Sequence, residues 1–324
     1  MSHTLTRAFA LTAAFGALLT AGNACAQNWP TKSVRIVVPF GPGGGTDIQG
    51  RLLGKKFYES MGQTFFLENR AGAGGTIGAD IVAKAAPDGY TLLFTTASLS
   101  VNASLYKKLP FDPVKDLAPI SWISSVPLVL IVHPSVPAKS LKEFVALAKK
   151  SGGKLNAASN GSGTTSHLSI EMLKQMARVD VQHVPYKGGG PAMIALLSGE
   201  VDFEFTTALT AQPFVKQNKV KPLAVTTAKP SAAFPGVPTV ASIYPGFESD
   251  NWYAMFFPAA TPKEIVSKLN AEIVKALKAP DVRDFMVKEG ADPVGSSPEE
   301  LGKYFRREID KYAKVIKTGN IQAE

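Results

Sequence analysis

The sequence has one cysteine, Cys25, and four histidines in 324 residues. Cys25 falls in a leader-like N-terminus, so the chain beyond it carries no thiol, which excludes a disulfide framework and thiol catalysis there. Stability must then come from the core, and about 300 residues suffice for two domains. After residue 26 no apolar run approaches the ~18 residues of a membrane-spanning helix. No Gly-x-Ser-x-Gly elbow is present, because Ser162 has its glycines at the wrong positions. No Gly-Lys-Ser/Thr follows Gly43–Gly45, and Ile77 interrupts the dinucleotide register of Gly72–Gly78, so a nucleotide site is weakly supported. No His, Asp or Glu spacing suggests a metal, and no cofactor is expected. Lysines are scattered rather than interleaved with aromatics, so no nucleic-acid surface is expected.

The N-terminus supplies an address. Arg7, the apolar run Ala8 to Leu19, and Ala24-Cys25-Ala26 before Gln27 have the form of a secretory signal peptide over residues 1–26, cleaved near Ala26. A periplasmic location follows. A retained anchor is one alternative. A lipoprotein with Cys25 lipidated is another, although Gly22 stands where a leucine is usual. The leader holds one basic and no acidic residue, which leaves 34 basic against 26 acidic, or +8, favouring anionic ligands.

The organising stretch is Val34 to Asp47. Val34–Val38 is short and β-branched, as a buried strand should be. Phe40-Gly-Pro-Gly-Gly-Gly-Thr46-Asp47 follows, then a helix with Ile48, Leu52, Leu53, Phe57 and Met61 at helical spacing, stopping at Gly62. Thr46 or Asp47 is placed to cap it. Glycines before a helix expose N–H groups with no Cβ in the way. The first helical N–H groups lack internal partners and lie at the positive end of the macrodipole, a corner suited to an anion. The corner recurs as strand Thr64–Glu68, loop 72–75 and a helix from Thr76; Tyr90–Thr95 is the third strand.

A Pro- and Asp-rich connection, 110–119, precedes strand Leu128–His133. The pattern then restarts with a helix capped at Ser140, strand Leu155–Ala158, loop 159–163, and a helix opened by Thr164 or Ser166. Strand Val181–Val184, loop 185–190, a helix from Pro191, and strands Val201–Phe205 and Leu223–Thr227 follow. Asn251–Phe257 reads as a strand, and Thr261-Pro-Lys-Glu264 and Ser297-Pro-Glu-Glu300 open two further helices. The expected fold is α/β, with two hinged domains, each a mostly parallel sheet flanked by helices. Domain 1 takes 27–128 plus 251–324 and domain 2 takes 129–250, with crossings near Ser125–Val132 and Ser249–Phe257.

Four glycine loops, at 41–47, 72–78, 159–164 and 187–191, each follow a strand and precede a helix, where open α/β sheets bind ligands. The candidate binding residues are Gly43, Gly44, Gly45 and Thr46; Gly74, Gly75 and Thr76; and Ser159, Gly161, Gly163, Thr164 and Ser166. Phe40 and the strand end Thr95–Ser98 would add apolar contact. Asp47 is either a helix cap or a pocket acid that takes an amine or hydroxyl. His167, in a first turn, is a neutral donor or a packed ring. Lys187 is placed toward the cleft. His133 and His183 read as structural, and no residue is expected to be catalytic.

Several stretches together resemble the Bug-type solute-binding receptors of tripartite tricarboxylate transporters. They are Val38-Pro-Phe-Gly-Pro-Gly-Gly-Gly-Thr-Asp47, Glu68-Asn-Arg-Ala-Gly-Ala-Gly-Gly-Thr-Ile-Gly78 and Pro87-Asp-Gly-Tyr-Thr-Leu92, with Gly161-Ser-Gly-Thr-Thr-Ser-His-Leu168, Val184-Pro-Tyr-Lys-Gly-Gly-Gly190 and Gly199-Glu-Val-Asp202. Ala71 departs from the proline expected in many relatives. The resemblance implies a hinged periplasmic receptor whose first two loops hold a carboxylate through backbone N–H groups and ordered water. Ser159–His167 and the loop after Tyr186 would close on the remainder. Expected ligands are di- or tricarboxylates, aromatic acids or amino acids. Delivery to membrane transporter subunits is implied, by a non-catalytic monomer. The alternatives are a periplasmic sensor for a membrane kinase, and an exported hydrolase using the same cleft.

Overall fold

The computed structural model describes residues 29–322; the expected leader lies outside them. The first strand, β1 (Val34–Val38), is divided by its period of two. Val34, Ile36 and Val38 join one core with Leu53 and Phe57, while Val37 joins another with Ala79 and Val82. Helix α1 (Gly45–Met61) therefore covers one face and α2 (Thr76–Ala83) the other. Strand β2 (Phe65–Asn69) pairs parallel with β1, as does β3 (Thr91–Thr96). Trp29 locks the open end of this unit: its ring meets Phe65 and Phe257 edge-on, and its indole N–H donates to Gly89 O at 3.2 Å. Burying such a side chain stabilises by roughly 1.5–3 kcal/mol.

Helix α3 (Ser98–Leu105) follows β3 directly. Strand β4 (Leu117–Val132) then runs for 16 residues. Helix α4 (Leu141–Ser151), β5 (Asn156–Ser159), α5 (Thr165–Ala177), β6 (Gln182–Pro185), α6 (Gly189–Ser198), β7 (Phe203–Thr207), α7 (Ala208–Lys216) and β8 (Lys221–Val225) complete the middle of the chain. The chain returns through β9 (Asp250–Pro258), α8 (Lys263–Lys278), α9 (Pro280–Lys288), the short β10 (Asp292–Pro293) and α10 (Pro298–Gly319). Helices α8 and α10 pack back on β4.

The strand order is β2-β1-β3-β9-β4-β7-β5-β6, with β8 and β10 also on β4. One half of β4, Leu117 to Pro127, pairs antiparallel with β9. The other half, Leu128 to Val132, pairs antiparallel with β7, and from Val129 on with β8. β4 thus belongs to two layers of strands, and β9 meets it where they join, at the Pro127–Asp250 pair. The outcome is an α/β fold of two strand layers that share β4, flanked by helices.

Several expectations need correction. The connection at 110–119 is shorter than expected, because β4 already starts at Leu117. Pro119 sits beside a register shift in the β4–β9 pairing, where a strand tolerates the missing N–H. Helices α3 and α7 carry no clear sequence signal: α3 lacks an apolar period, and α7 holds Pro213 inside it. Gly44, not Thr46 or Asp47, is the N-cap of α1. The Thr261 hydroxyl caps nothing and is buried without a partner; Pro262 takes the cap position of α8. Ser297 and Glu300 do form the expected capping box of α10.

Candidate functional site

The strand ends and helix starts meet in an inner cavity of about 20 Å³. That is room for about one water. Its lining comes from the first loop (Phe40, Gly44, Gly45, Thr46), the end of β3 (Thr96) and the loop before α5 (Asn160, Thr164, Thr165). Gly189, Thr207, Asn251 and Tyr253 complete it. Four helices begin at this wall: α1 after Gly44, α5 after Thr164, α6 at Gly189 and α7 after Thr207. None of the lining residues, among the described residues, carries a charge. Partial positive charge at helix starts, roughly half a unit each, therefore dominates the field inside.

Tyr253 forms the back wall. A Cβ on Gly45 would lie 2.1 Å from its hydroxyl, so only glycine lets the loop approach. Burial pushes the Tyr253 hydroxyl up to about 12, which keeps it a neutral donor. The Thr165 hydroxyl reaches Asn251 Oδ1 at 3.5 Å, and Thr207 Oγ1 lies 3.1 Å from Thr210 Oγ1. The Asn160 amide oxygen is buried with no hydrogen-bond partner.

An outer groove of about 340 Å³ adjoins the cavity, sharing Phe40 and Asn160 with it. Gly72 to Gly75, Tyr106, Gly161, Ser162, Pro185, Tyr186 and Lys187 line this groove. The facing loops touch through backbone. Gly41 N donates to Lys187 O at 2.6 Å. A Cβ on Gly190 would lie 2.0 Å from Pro42 O, and one on Gly74 2.2 Å from Ser162 O. These contacts describe a closed cleft.

Of the sequence-predicted site residues, Phe40, Gly44, Gly45, Thr46 and Thr164 meet in the inner cavity. Phe40, Gly74, Gly75, Gly161 and Lys187 line the groove, with Lys187 exposed. The others line neither. Gly43 donates its N–H to the Asp47 carboxylate at 3.2 Å. Asp47 is buried, taking two bonds of 3.0 Å from Arg51 and one of 3.3 Å from Asn69. Burial alone would raise that carboxyl; the Arg51 guanidinium, Gly43 N–H and Asn69 amide together hold it below the ordinary value. Thr76 Oγ1 accepts from Asn102, and Ser98 pairs with Thr96 Oγ1 at 2.8 Å. Ser166 donates to Phe205 O inside the sheet.

Ser159, Gly163 and His167 brace the 159–164 loop instead. His167 Nδ1 accepts from Gly163 N at 3.2 Å, and its ring stacks on His183 with centroids 4.3 Å apart. Ser159 Oγ lies 2.6 Å from His183 Nε2 and accepts from Gly161 N. Burial, aided by the Lys174 charge, lowers His183 to about 4, so the ring stays neutral. Ser159 is fully buried, so this Ser–His pair is closed to a substrate. Sequence reasoning missed Thr207, Asn251 and Tyr253, which sit on strands with no local signal. Thr96, Asn160, Thr165 and Gly189 lie inside stretches it singled out, without being picked as contacts. Among the described residues no group of three or more His, Cys, Asp or Glu could hold a metal.

The family described as the tripartite tricarboxylate transporter family receptor matches residues 50–321. The chain belongs to that family. BugT of Bordetella pertussis is 35% identical over 319 residues, covering 97% of each chain. A solved R. palustris protein with adipate superposes with a TM-score of 0.88 at 35% identity, covering 91% of this chain and 99% of that one. MatC from Rhodopseudomonas palustris with bound malate gives 0.85 at 35% identity, covering 89% and 100%. The match to the family receptors runs from Gly50, inside α1, to just past α10; the first glycine loop precedes it.

Proposed function

We propose that the chain is a periplasmic receptor that holds a small carboxylate in the cleft between its lobes and presents it to membrane subunits of a tripartite tricarboxylate-type transporter. The observation that carries this reading is the convergence of four helix starts on one cavity without a charged side chain. Such a cavity attracts an anion and solvates its oxygens with N–H groups. A charge-assisted hydrogen bond contributes about 1.5–3 kcal/mol, so three or four account for the ~8 kcal/mol of micromolar binding before the cost of ordering the ligand. The relatives solved with adipate and malate support a carboxylate here. The amides of Gly44, Gly45 and Thr46 are the proposed carboxylate donors, with Thr164, Thr165 and Gly189 closing from the other side. The lobes are proposed as 27–128 plus 251–324 and 129–250, since the partners of β4 change at Pro127–Leu128.

The protein acts as a monomer that binds and releases without catalysis, after removal of residues 1–26. The buried Ser159 argues against the hydrolase alternative. Calorimetry against a panel of organic acids tests the receptor reading. A carboxylate bound at micromolar affinity supports it, whereas turnover of an ester or binding of a neutral sugar alone would defeat it. Pull-down of membrane partners separates transport from kinase sensing.

A further inference from the structure

The inner cavity is built almost wholly of groups able to donate: helix-start amides and the hydroxyls of Thr46, Thr96, Thr165, Thr207 and Tyr253. Two side-chain amide oxygens break that pattern; that of Asn251 already accepts from Thr165, and one is left over. The amide oxygen of Asn160 is buried, has no hydrogen-bond partner, and belongs to a residue lining both cavity and groove. It lies against the second lobe's closing glycine, 3.4 Å from where a Cβ on Gly189 would stand. Leaving such an acceptor unpaired costs free energy that a ligand donor would recover. The donor must be small, because the closed cavity beside Asn160 holds only about 20 Å³. It must also be uncharged. The one acid at this corner, Asp47, is turned to Arg51 and Asn69 and does not line the cavity, so an ammonium group would be buried without a counter-charge.

We propose that Asn160 is a specificity-determining residue and accepts a hydrogen bond from a hydroxyl on the ligand, so that the ligand is a short hydroxy acid rather than an amino, aromatic or long-chain acid. The proposal rests on the carboxylate-receptor reading above and narrows it. Phe40 is the single large apolar side chain in the lining, too little to receive a ring or a six-carbon chain in place of water.

The test is calorimetry with malate, succinate, aspartate, adipate and benzoate on the wild-type protein and on Asn160→Ala. Malate and succinate differ only by a hydroxyl. The wild type should bind malate about 10-fold more tightly than succinate, the scale of one well-placed hydrogen bond. In Asn160→Ala that ratio should fall to near one, chiefly through loss of malate affinity. A merely structural effect of the substitution would weaken both acids together and leave the ratio intact, which would overturn the assignment of Asn160. Succinate bound as tightly as malate, or aspartate, adipate or benzoate bound more tightly, would overturn the hydroxy-acid inference while leaving the receptor reading standing. Binding of none of the five, with a neutral sugar bound instead, would remove the receptor reading and this inference together.

Discussion

The two glycine corners of the first lobe look alike in sequence, yet the structure uses them differently. At the first corner Gly44 and Gly45 start α1 at the cavity wall, with the Tyr253 hydroxyl behind Gly45. Their missing side chains leave amides open to a ligand. At the second corner Gly74 has φ +59 and faces the Ser162 carbonyl, while the Asn102 amide donates to the Gly74 carbonyl at 2.8 Å. Its missing side chain lets the second lobe's backbone come close. On the proposed reading one corner offers donors and the other permits closure, so a glycine run before a helix does not by itself state which task it serves.

Substitutions separate the two tasks. The largest effect is expected from Gly44→Val. Its backbone, at φ −83 and ψ 170, accepts valine, but the new side chain projects toward Gly189 N, 3.4 Å from the Cβ position. Affinity should fall by about 100-fold or more, roughly 2.7 kcal/mol, with the circular-dichroism melt almost unchanged. Unchanged affinity would remove the first corner from the site.

The next effect probes what stands behind the first corner. Helix α6 closes on it and packs on β7, which carries the fully buried Glu204. Burial pushes the Glu204 carboxyl up to about 8, with the neighbouring Thr206 hydroxyl opposing the rise. A raised carboxyl is favoured neutral in the fold. Its stability contribution is therefore complete below the ordinary carboxylate value near 4.5 and is lost as pH rises from there to about 8. Glu204→Gln should abolish that decline, gaining on the order of 2 kcal/mol at pH 8 relative to pH 5 in denaturant titrations. A parallel pH dependence in both proteins would contradict the buried neutral state.

Gly74→Ala should act more weakly on binding, by about 10-fold, and through faster release. Its Cβ would lie 2.2 Å from Ser162 O, which holds the lobes apart without touching the inner cavity. Stopped-flow release and the radius of gyration with saturating ligand distinguish this from Gly44→Val. An unaltered release rate would show that the second corner has no part in closure.

The smallest effect belongs to Asp47→Asn. The Arg51 side chain is 61% exposed, so solvent screens the pair and the loss should be about 1 kcal/mol at neutral pH. The folded carboxyl is depressed, so the wild-type advantage is present above about pH 4 and disappears as pH falls through the folded value. Equal stability of the two proteins at pH 7 would show that Asp47 does not hold the loop.

Much of this arrangement could be read from local signals. The β-branched run Val34–Val38, the glycine loops and the Ser297 capping box each declare themselves within a few residues. So did the fold class and the first loop's place at the cavity. What escaped depends on distant pairing. The first part of β4 looks like a loop because Pro119 and Pro127 interrupt it, and only its pairing with β9 accommodates them. Tyr253, Asn251 and Thr207 reach the cavity because β9 and β7 both lie beside β4 there, which no local period reveals. His167 was ambiguous for the same reason: its stacking on His183 joins the first turn of α5 to β6, a pairing that no local pattern announces.

The most direct measurement is a crystal structure of the protein with its tightest-binding acid. A carboxylate oxygen within about 3.2 Å of the Gly45 or Thr46 amide, with no Lys or Arg side chain touching it, is the predicted result. A carboxylate held by Lys187 in the outer groove, with the inner cavity still closed, would contradict it.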